Sequence, residues 1–529
     1  MTRRPNDLSD DLSVTNYVFQ GGVLEEPSIV FGGGQEHIDP KAGLAMFGPH
    51  CPADQKMPLL KSINIGIVGP GSMVADTQQW LDLCTRNVTN TGEQPFLAPE
   101  FCGMNSEAPF HCSLNYGDPL RAIIKQQSLE LALNATNFYD RIRLVAELFG
   151  QAIEVLAQRE PKANVVVCCI PQEVITACTH VKRKSGEVKR RSVPKSERKA
   201  LKSAEMGQGF LWSAMNPLTA LEEDIWEYSD LRRAIKVLAM QHDMPTQLAW
   251  PHSILLEDPK NAEDRTTQDR ATRAWNFMTA LYYKAGGIPW RLNTIEGDTC
   301  VVGLSFYKAL RDPTSQLRTA MAQIFTSSGD GYVLRGNTFE WDPTREKSRS
   351  PHLNKDSALE LVRLILDLYA RQNEGATPKR LVIHKSSKYW DDERNGFQEA
   401  SARIPRTDLV ALQWRGVQFY RTGNYPPLRG TYVKFSESNQ LLYTVGYVPS
   451  MRSYNGPRAP QPIEVVEHFG DTPWIDILKE VLGLTKLNWN SASFACSEPI
   501  TLAFSRRIGE VLSELGANKK MKNEYRFYM

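Results

Sequence analysis

The chain of 529 residues has no run of about eighteen apolar residues, so no membrane-spanning helix is expected. Its first ten residues are polar and lack the apolar core of a secretory signal, so a cytoplasmic protein is the default reading. Its nine cysteines (51, 84, 102, 112, 168, 169, 178, 300 and 496) form no Cys-x-x-Cys pair, which argues against a disulfide framework or a zinc knuckle. They read as reduced, mostly buried thiols. A net charge of only +2 excludes a globally basic nucleic-acid coat but leaves room for a local basic channel. Gly32–Gly34 is followed by no Walker lysine and reads as turns. The Gly69-Pro70-Gly71 turn does not fit G-x-G-x-x-G, and Pro70 lacks an N–H that a phosphate cradle needs. No repeat of solenoid period occurs.

The composition, 41% apolar and 23% charged, is that of a soluble globular chain, and the length suits two to four domains. Residues 1–22 are polar and weakly periodic and read as a disordered tail. The β-branched run at 63–68 and the helical pattern through Trp80 and Leu83 open an α/β domain. A long helix at 136–157 and a buried strand at 164–170 continue it. Residues 181–203 are dense in Lys and Arg and read as a solvated insertion, with a phosphate-binding arm as the alternative. A helix at 229–240, a strand at 246–250 and a helix at 274–284 follow. From 299 the order becomes three strands, a helix at 357–372, a strand at 380–385, a helix across 391–400, further strands at 409–414 and 441–445, and a closing helix at 501–515. Strands first and alternation afterwards is the order of a ribonuclease-H-like domain.

Within the first domain, Arg232 and Lys236 are four apart and share one helix face, while Leu231, Ile235 and Leu238 can face a core. Like charges at that spacing destabilise a helix by roughly 0.2–0.5 kcal/mol unless an anion lies between them. Gln247 and Lys284 add two donors, and the four together are a candidate phosphate enclosure. A solvated basic helix face is the alternative.

Several stretches, in order, resemble one family. They are Glu-Glu-Pro-Ser-Ile-Val-Phe at 25–31, Asp-Pro-Lys-Ala-Gly-Leu-Ala-Met-Phe-Gly-Pro at 39–49 and Met-Pro-Thr-Gln at 244–247. Then come Ala-Leu-Tyr-Tyr-Lys-Ala-Gly-Gly-Ile-Pro-Trp at 280–290, Gly-Leu-Ser at 303–305 and Ile-His-Lys-Ser at 383–386. Leu-Thr-Lys-Leu-Asn-Trp-Asn at 484–490 and Glu-Pro-Ile-Thr-Leu-Ala-Phe-Ser-Arg-Arg-Ile-Gly-Glu-Val-Leu at 498–512 complete the set. The chain resembles a short prokaryotic Argonaute built of MID and PIWI domains only, of the type that works with a separate APAZ-containing effector. The resemblance implies an α/β fold: a Rossmann-like MID domain within residues 23–293, then a ribonuclease-H-like PIWI domain at 294–529.

It also implies roles. Arg232, Lys236, Gln247 and Lys284 would hold the 5′-phosphate of a guide, with Lys284 at risk from the long interval that precedes it. Met529 would supply a C-terminal carboxylate to a magnesium ion bridging guide phosphates, oxygen-only ligation favouring that metal. Slicing relatives carry aspartates where this chain has Ser305 and Ser386, and a neutral hydroxyl cannot hold two hard cations as carboxylates do. No target cleavage is therefore expected, Asp391, Asp392 and Glu393 reading as the exposed start of a helix. Arg429, Lys434, Arg452, Lys486 and Arg506 are candidate contacts to a nucleic-acid backbone. By this resemblance the chain is the guide-binding subunit of an immune pair. It would load a short 5′-phosphorylated RNA and recognise single-stranded DNA of invaders such as plasmids. It would then activate a TIR or sirtuin-like APAZ partner that consumes NAD, as a heterodimer with higher oligomers on activation. The alternatives are a self-contained guide-directed nuclease and pairing with a nuclease-type APAZ effector.

Overall fold

A computed structural model describes residues 19–51, 59–90, 98–179, 228–258, 268–310, 317–325, 331–339, 350–419, 426–436, 439–454, 459–516 and 519–529. The basic insertion at 181–203 lies outside the described residues, as do residues 1–18 of the expected tail. The rest of that tail is not free. Residues 20–23 form strand β1 (Gln20–Val23), paired antiparallel with residues 431–434 far along the chain. A Cβ added at Gly21 would lie 2.8 Å from the Tyr432 carbonyl oxygen, and one at Gly22 2.8 Å from the Tyr432 hydroxyl. Such a strand is held by main-chain pairing and close approach and carries no hydrophobic alternation to read. The chain then crosses into a small antiparallel sheet through β2 (Ile29–Val30) and β3 (Glu36–His37). It enters helix α1 (Pro40–Phe47), whose N-cap Asp39 accepts from the Ala42 N–H at 2.8 Å.

The first large layer is a parallel sheet. Strand β4 (Ser62–Gly69) leads into α2 (Gly71–Cys84) and pairs with β5 (Ser113–Asn115) and β6 (Arg121–Ile123). Helices α3 (Gln126–Leu133) and α4 (Phe138–Ala157) precede β7 (Val165–Cys169), which lies beside β4. All five residues of β7, Val-Val-Val-Cys-Cys, are buried, the signature of a strand covered on both faces. Helix α4 buries Ile142, Val145, Ala146, Phe149, Ile153 and Leu156 at helical spacing. After α5 (Gln172–Cys178), helix α6 (Leu231–Met240) packs on α4, where Gly150 lets Leu238 approach. Strand β8 (Thr246–Ala249) joins the far side of β7 in parallel, and α7 (Arg270–Lys284) follows. Strand β9 (Arg291–Leu292) then pairs with β2.

The second layer is a mixed sheet of nine strands. It contains β10 (Thr299–Tyr307), β11 (Leu317–Phe325), β12 (Gly331–Phe339), then α8 (Lys355–Gln372), β13 (Arg380–Lys385), α9 (Asp391–Ala400) and β14 (Arg406–Trp414). After these come β15 (Thr431–Lys434), β16 (Gln440–Leu442) and β17 (Ile463–Phe469), and the helices α10 (Trp474–Leu484) and α11 (Ile500–Glu514). The strand order is β1-β15-β16-β17-β14-β13-β10-β11-β12, with β10, β13 and β14 parallel at its centre. Alternation sorts its side chains. Cys300, Val302, Leu304, Leu381 and Ile383 pack with Leu361, Ile365 and Phe397 of α8 and α9. Val301, Val382 and Val410 instead join the core that runs through α11 into the parallel-sheet domain. A Cβ at Gly303 would lie 1.9 Å from the Thr501 carbonyl oxygen, so α11 sits directly on β10 only because that residue is glycine. Strands β15 and β17 and helix α10 are additions to what the sequence reading assigned. Between the layers, the Trp290 indole N–H donates to the Lys486 carbonyl at 2.9 Å, and that of Trp489 to the Trp290 carbonyl at 3.0 Å. Among the described residues no helix is long and apolar enough to cross a membrane.

Candidate functional site

Three elements of the parallel-sheet domain and one from its neighbour converge on a cationic pocket. Helix α6 begins at Asp230, whose carboxylate accepts from the N–H groups of Arg232 and Arg233 at 3.0 and 3.1 Å. That cap starts the helix so that Arg232 stands at an exposed rim, 3.7 Å from Asp230, and Lys236 lies one turn further in. The Lys236 amine donates to the main-chain oxygen of Met529. Gln247 is the second residue of β8, and Lys284 is the last of α7. Lys284 is only 3% exposed, and its amine donates to Gln247 Oε1 at 2.6 Å. The four sequence candidates therefore resolve into three converging side chains, Lys236, Gln247 and Lys284, with Arg232 at the mouth. The long interval before Lys284 does not displace it.

A further cation completes the pocket. Arg507 of α11 acts electrostatically on both lysines. The sequence reading did not include it; its neighbour Arg506 was a candidate for the nucleic-acid backbone instead. Adjacent residues on a helix point about 100° apart, so the two arginines address different surroundings, and Arg507 stays exposed. Arg506 turns away and forms an ion pair with Glu498 at 2.5 Å. Burial first, then the charges of Arg232 and Arg507, bring the Lys236 amine down to about 8. Lys284 is held well below the usual lysine value by burial first, then by Lys236 and Arg507. Lys284, stripped of water beside other cations, is bonded to the neutral Gln247 amide, and a terminal phosphate dianion is the kind of counter-anion that suits it.

Aromatic packing fixes the pocket wall. Tyr283, next to Lys284, stacks on Trp489 at 4.7 Å between ring centroids, and Tyr525 stacks on Phe504 of α11 at 3.7 Å. Tyr525, Phe527, Tyr528 and Met529 are all buried, and the Val333 N–H bonds the Asn523 carbonyl at 2.5 Å. The final segment is thus pinned along β12, which places Met529 against Lys236.

The residues present do not by themselves make a magnesium site. The oxygens at hand, those of Met529 and Gln247, already accept from lysine amines, and the surrounding charge is positive. Among the described residues no group of three or more His, Cys, Asp or Glu could hold a metal ion.

The register that pairs Leu304 with Lys385 brings the following residues, Ser305 and Ser386, to the same end of neighbouring parallel strands. Ser305 Oγ donates to the Ser505 carbonyl at 2.7 Å, and Ser386 is exposed. Beside them lies a buried ion pair that the sequence reading missed. Glu393 is not at an exposed helix start, unlike Asp391 and Asp392, but fully buried. It accepts from the Lys385 amine at 2.5 Å and the Leu353 N–H at 3.2 Å, with His352 Nδ1 at 3.1 Å from that amine. Its position, third in α9, turns it inward while the two aspartates face solvent.

Of the other basic candidates, two belong to the interior. Arg429 and Lys486 are 5% and 1% exposed, and both bind Glu26 from the segment after β1, at 2.9 and 2.6 Å. Arg429 also donates to Thr485 Oγ1 at 2.9 Å, and Lys486 to the Ile38 carbonyl at 2.8 Å. These are corrections: with every donor turned inward, neither faces a nucleic-acid backbone. Burial lowers the Lys486 amine to about 7 despite Glu26. Burial alone would raise the Glu26 carboxyl, but the two cations hold it below the usual range. Lys434 lies 5.4 Å over the Trp474 ring, and Arg452 is exposed in a left-handed turn at φ 51°.

No family model matches the chain. It is 26% identical to the Argonaute protein of Cereibacter sphaeroides over 303 residues, covering 53% of this chain and 37% of that protein. It is 23% identical to the Argonaute protein of Aquifex aeolicus over 240 residues, covering 45% of this chain and 31% of that one. Among solved structures, Clostridium butyricum Argonaute bound to a guide DNA and a 19-mer target DNA matches with a TM-score of 0.60 at 15% identity. That match covers 95% of this chain and 54% of the other. Drosophila Piwi matches with a TM-score of 0.54 at 11% identity, over 96% of this chain and 56% of the other. The chain thus spans about half the length of the solved structures it matches. In sequence and in fold it is Argonaute-like, an α/β protein whose parallel and mixed sheets are consistent with MID and PIWI domains.

Proposed function

We propose that the chain is the guide-binding subunit of a two-protein defence system, a short Argonaute of MID and PIWI domains. One observation carries this reading: Lys236, Gln247, Lys284 and Arg507 converge from α6, β8, α7 and α11 into one cationic cluster. Three amine or guanidinium groups with an amide suit the terminal phosphate of a nucleic acid, and the exposed Arg232 guides it in. Holding the 5′ end there leaves the rest of the strand to pair with a target, so sequence is read by base pairing and not by side chains. A magnesium ion at this end would draw its ligands chiefly from the guide's own phosphates.

In this proposal the guide is a short RNA and the target is single-stranded DNA of an invader. Ser305 and Ser386, with the Lys385–Glu393 pair beside them, support recognition without cleavage. Signalling passes to a separate cytoplasmic APAZ protein with a TIR or sirtuin-like domain, whose NAD consumption arrests the cell. The test compares oligonucleotides of one sequence bearing a 5′-phosphate or a 5′-hydroxyl. The phosphate should bind at least about tenfold tighter, a difference of ~1.4 kcal/mol. Equal affinities would remove the pocket's assigned role. Sequencing the nucleic acids that co-purify with the chain and its partner tests guide type directly.

A further inference from the structure

We propose that Glu514 is a proton-carrying latch between the two domains, a buried neutral carboxylic acid that docks α11 on α6 and weakens that contact when it ionises. The argument starts from charge. Where α11 crosses α6, the groups facing the seam are Ser229, Asp230 and Arg233 from the α6 side and Glu510 and Glu514 from α11. Asp230 is committed to the α6 N-terminus and to Arg232. Glu510 holds the Arg233 guanidinium at 3.0 Å. Lys519, just beyond α11, is turned to the hydroxyl and ring of Tyr228. Three carboxyl groups thus share one seam guanidinium, and the third in line is Glu514, only 1% exposed, with Arg233 at 3.6 Å.

The geometry of its two oxygens agrees. Oε1 accepts from the Ser229 hydroxyl at 2.8 Å, whereas Oε2 is buried and has no hydrogen-bond partner among the described residues. An ionised carboxylate concentrates charge on both oxygens, and one left without a donor is costly to bury. A protonated carboxyl places its hydrogen there and keeps the charge out of the seam. Burial raises this carboxyl to about 8; Arg233 and Ser229 oppose the rise and Asp230 adds to it. The sign follows. The folded state keeps a proton that the unfolded chain releases above its ordinary carboxylate value of 4.5. The stabilisation is complete below 4.5 and is lost as the pH rises towards about 8.

Glu514→Gln mimics the protonated form and tests the latch. Thermal unfolding of the full chain is followed from about pH 5 to pH 9 for wild type and variant. The variant should gain on wild type as the pH rises. The ratio of their unfolding constants should change by about tenfold per pH unit below pH 8, the effect of a single proton. Glu510→Gln should lower stability yet keep the wild-type slope. Parallel profiles for wild type and Glu514→Gln overturn the proposal, as does loss of the slope in Glu510→Gln alone. Should Glu514→Gln not fold, hydrogen exchange on the unmodified protein decides. After correction for intrinsic rates, protection of the amides at 500–514 should fall between about pH 5 and pH 8, and unchanged protection overturns the idea.

Discussion

The pocket's preference for a 5′-phosphate should be lost at alkaline pH, because the amines that make it attractive are already easy to deprotonate. Lys236 stands at about 8 in the empty pocket, and Lys284 well below the ordinary lysine value. A phosphate monoester is essentially a dianion above about pH 7, its second pKa being ~6, so changes above that point report the protein. Binding restores a counter-charge to both amines and draws protons from solution. Above about 8, where Lys236 is neutral in the free protein, binding must take up one proton at that residue. Affinity for the phosphorylated strand should then fall about tenfold per unit, or ~1.4 kcal/mol. Lys284, held well below the ordinary lysine value, adds to the fall in the same direction. The assay is fluorescence anisotropy with paired 5′-phosphate and 5′-hydroxyl oligonucleotides at constant ionic strength, from about pH 7 to 9.5. The ratio of the two affinities isolates the pocket from general backbone attraction, which salt screens and which both strands share. Lys236→Arg, whose guanidinium keeps its charge throughout, should flatten the upper part of the curve. A ratio that stays constant across this range in the wild-type protein would refute the reasoning.

Other outcomes follow from particular contacts. Glu26→Gln should destabilise the fold by about 3–5 kcal/mol, read as a lowered Tm, because it leaves Arg429 and Lys486 buried without their shared carboxylate. Lys284→Met should abolish phosphate preference while leaving the unfolding free energy within about 1–2 kcal/mol of wild type or above it, read by denaturant unfolding, since it removes an amine buried without a carboxylate partner. Gly303→Ala should prevent correct folding, judged by circular dichroism and solubility, as its methyl would lie 1.9 Å from the Thr501 carbonyl oxygen. Incubation with guide, complementary target and Mg²⁺ or Mn²⁺ should yield no guide-directed product on a denaturing gel; a cut at a fixed guide position would restore the nuclease alternative.

How far the sequence could be read depended on where each interaction was written. The parallel sheet and its helices were legible because Ile63–Val68, Val165–Cys169 and α4 carry periodicity in consecutive residues. Lys236, Gln247 and Lys284 could be grouped because their residue types lie within one stretch and suit one anion. Arg507 was missed because nothing in Ser505–Arg507 shows which arginine acts on Lys236 and Lys284 once α11 is in place. Arg429 and Lys486 read as surface cations because their partner, Glu26, lies some four hundred residues away. Glu393 was misplaced because helix-start carboxylates usually face solvent, and nothing local revealed Lys385 behind it. Strand β1 was hidden because glycine and main-chain pairing leave no side-chain pattern.

That strand has a mechanical consequence. Val23 ends β1 in the nine-stranded sheet, and Ile29 begins β2, whose partner β9 follows directly from α7 of the parallel-sheet domain. The five intervening residues bridge at most about 20 Å when fully drawn out. They act as a short tie-rod pinned at one end by an edge strand and near its middle by Glu26. The two lobes can swivel about this rod but cannot part by more than its length without peeling β1 from β15 or tearing Glu26 from its two cations. Separation of the lobes is therefore limited by a segment close to the beginning of the chain's described path.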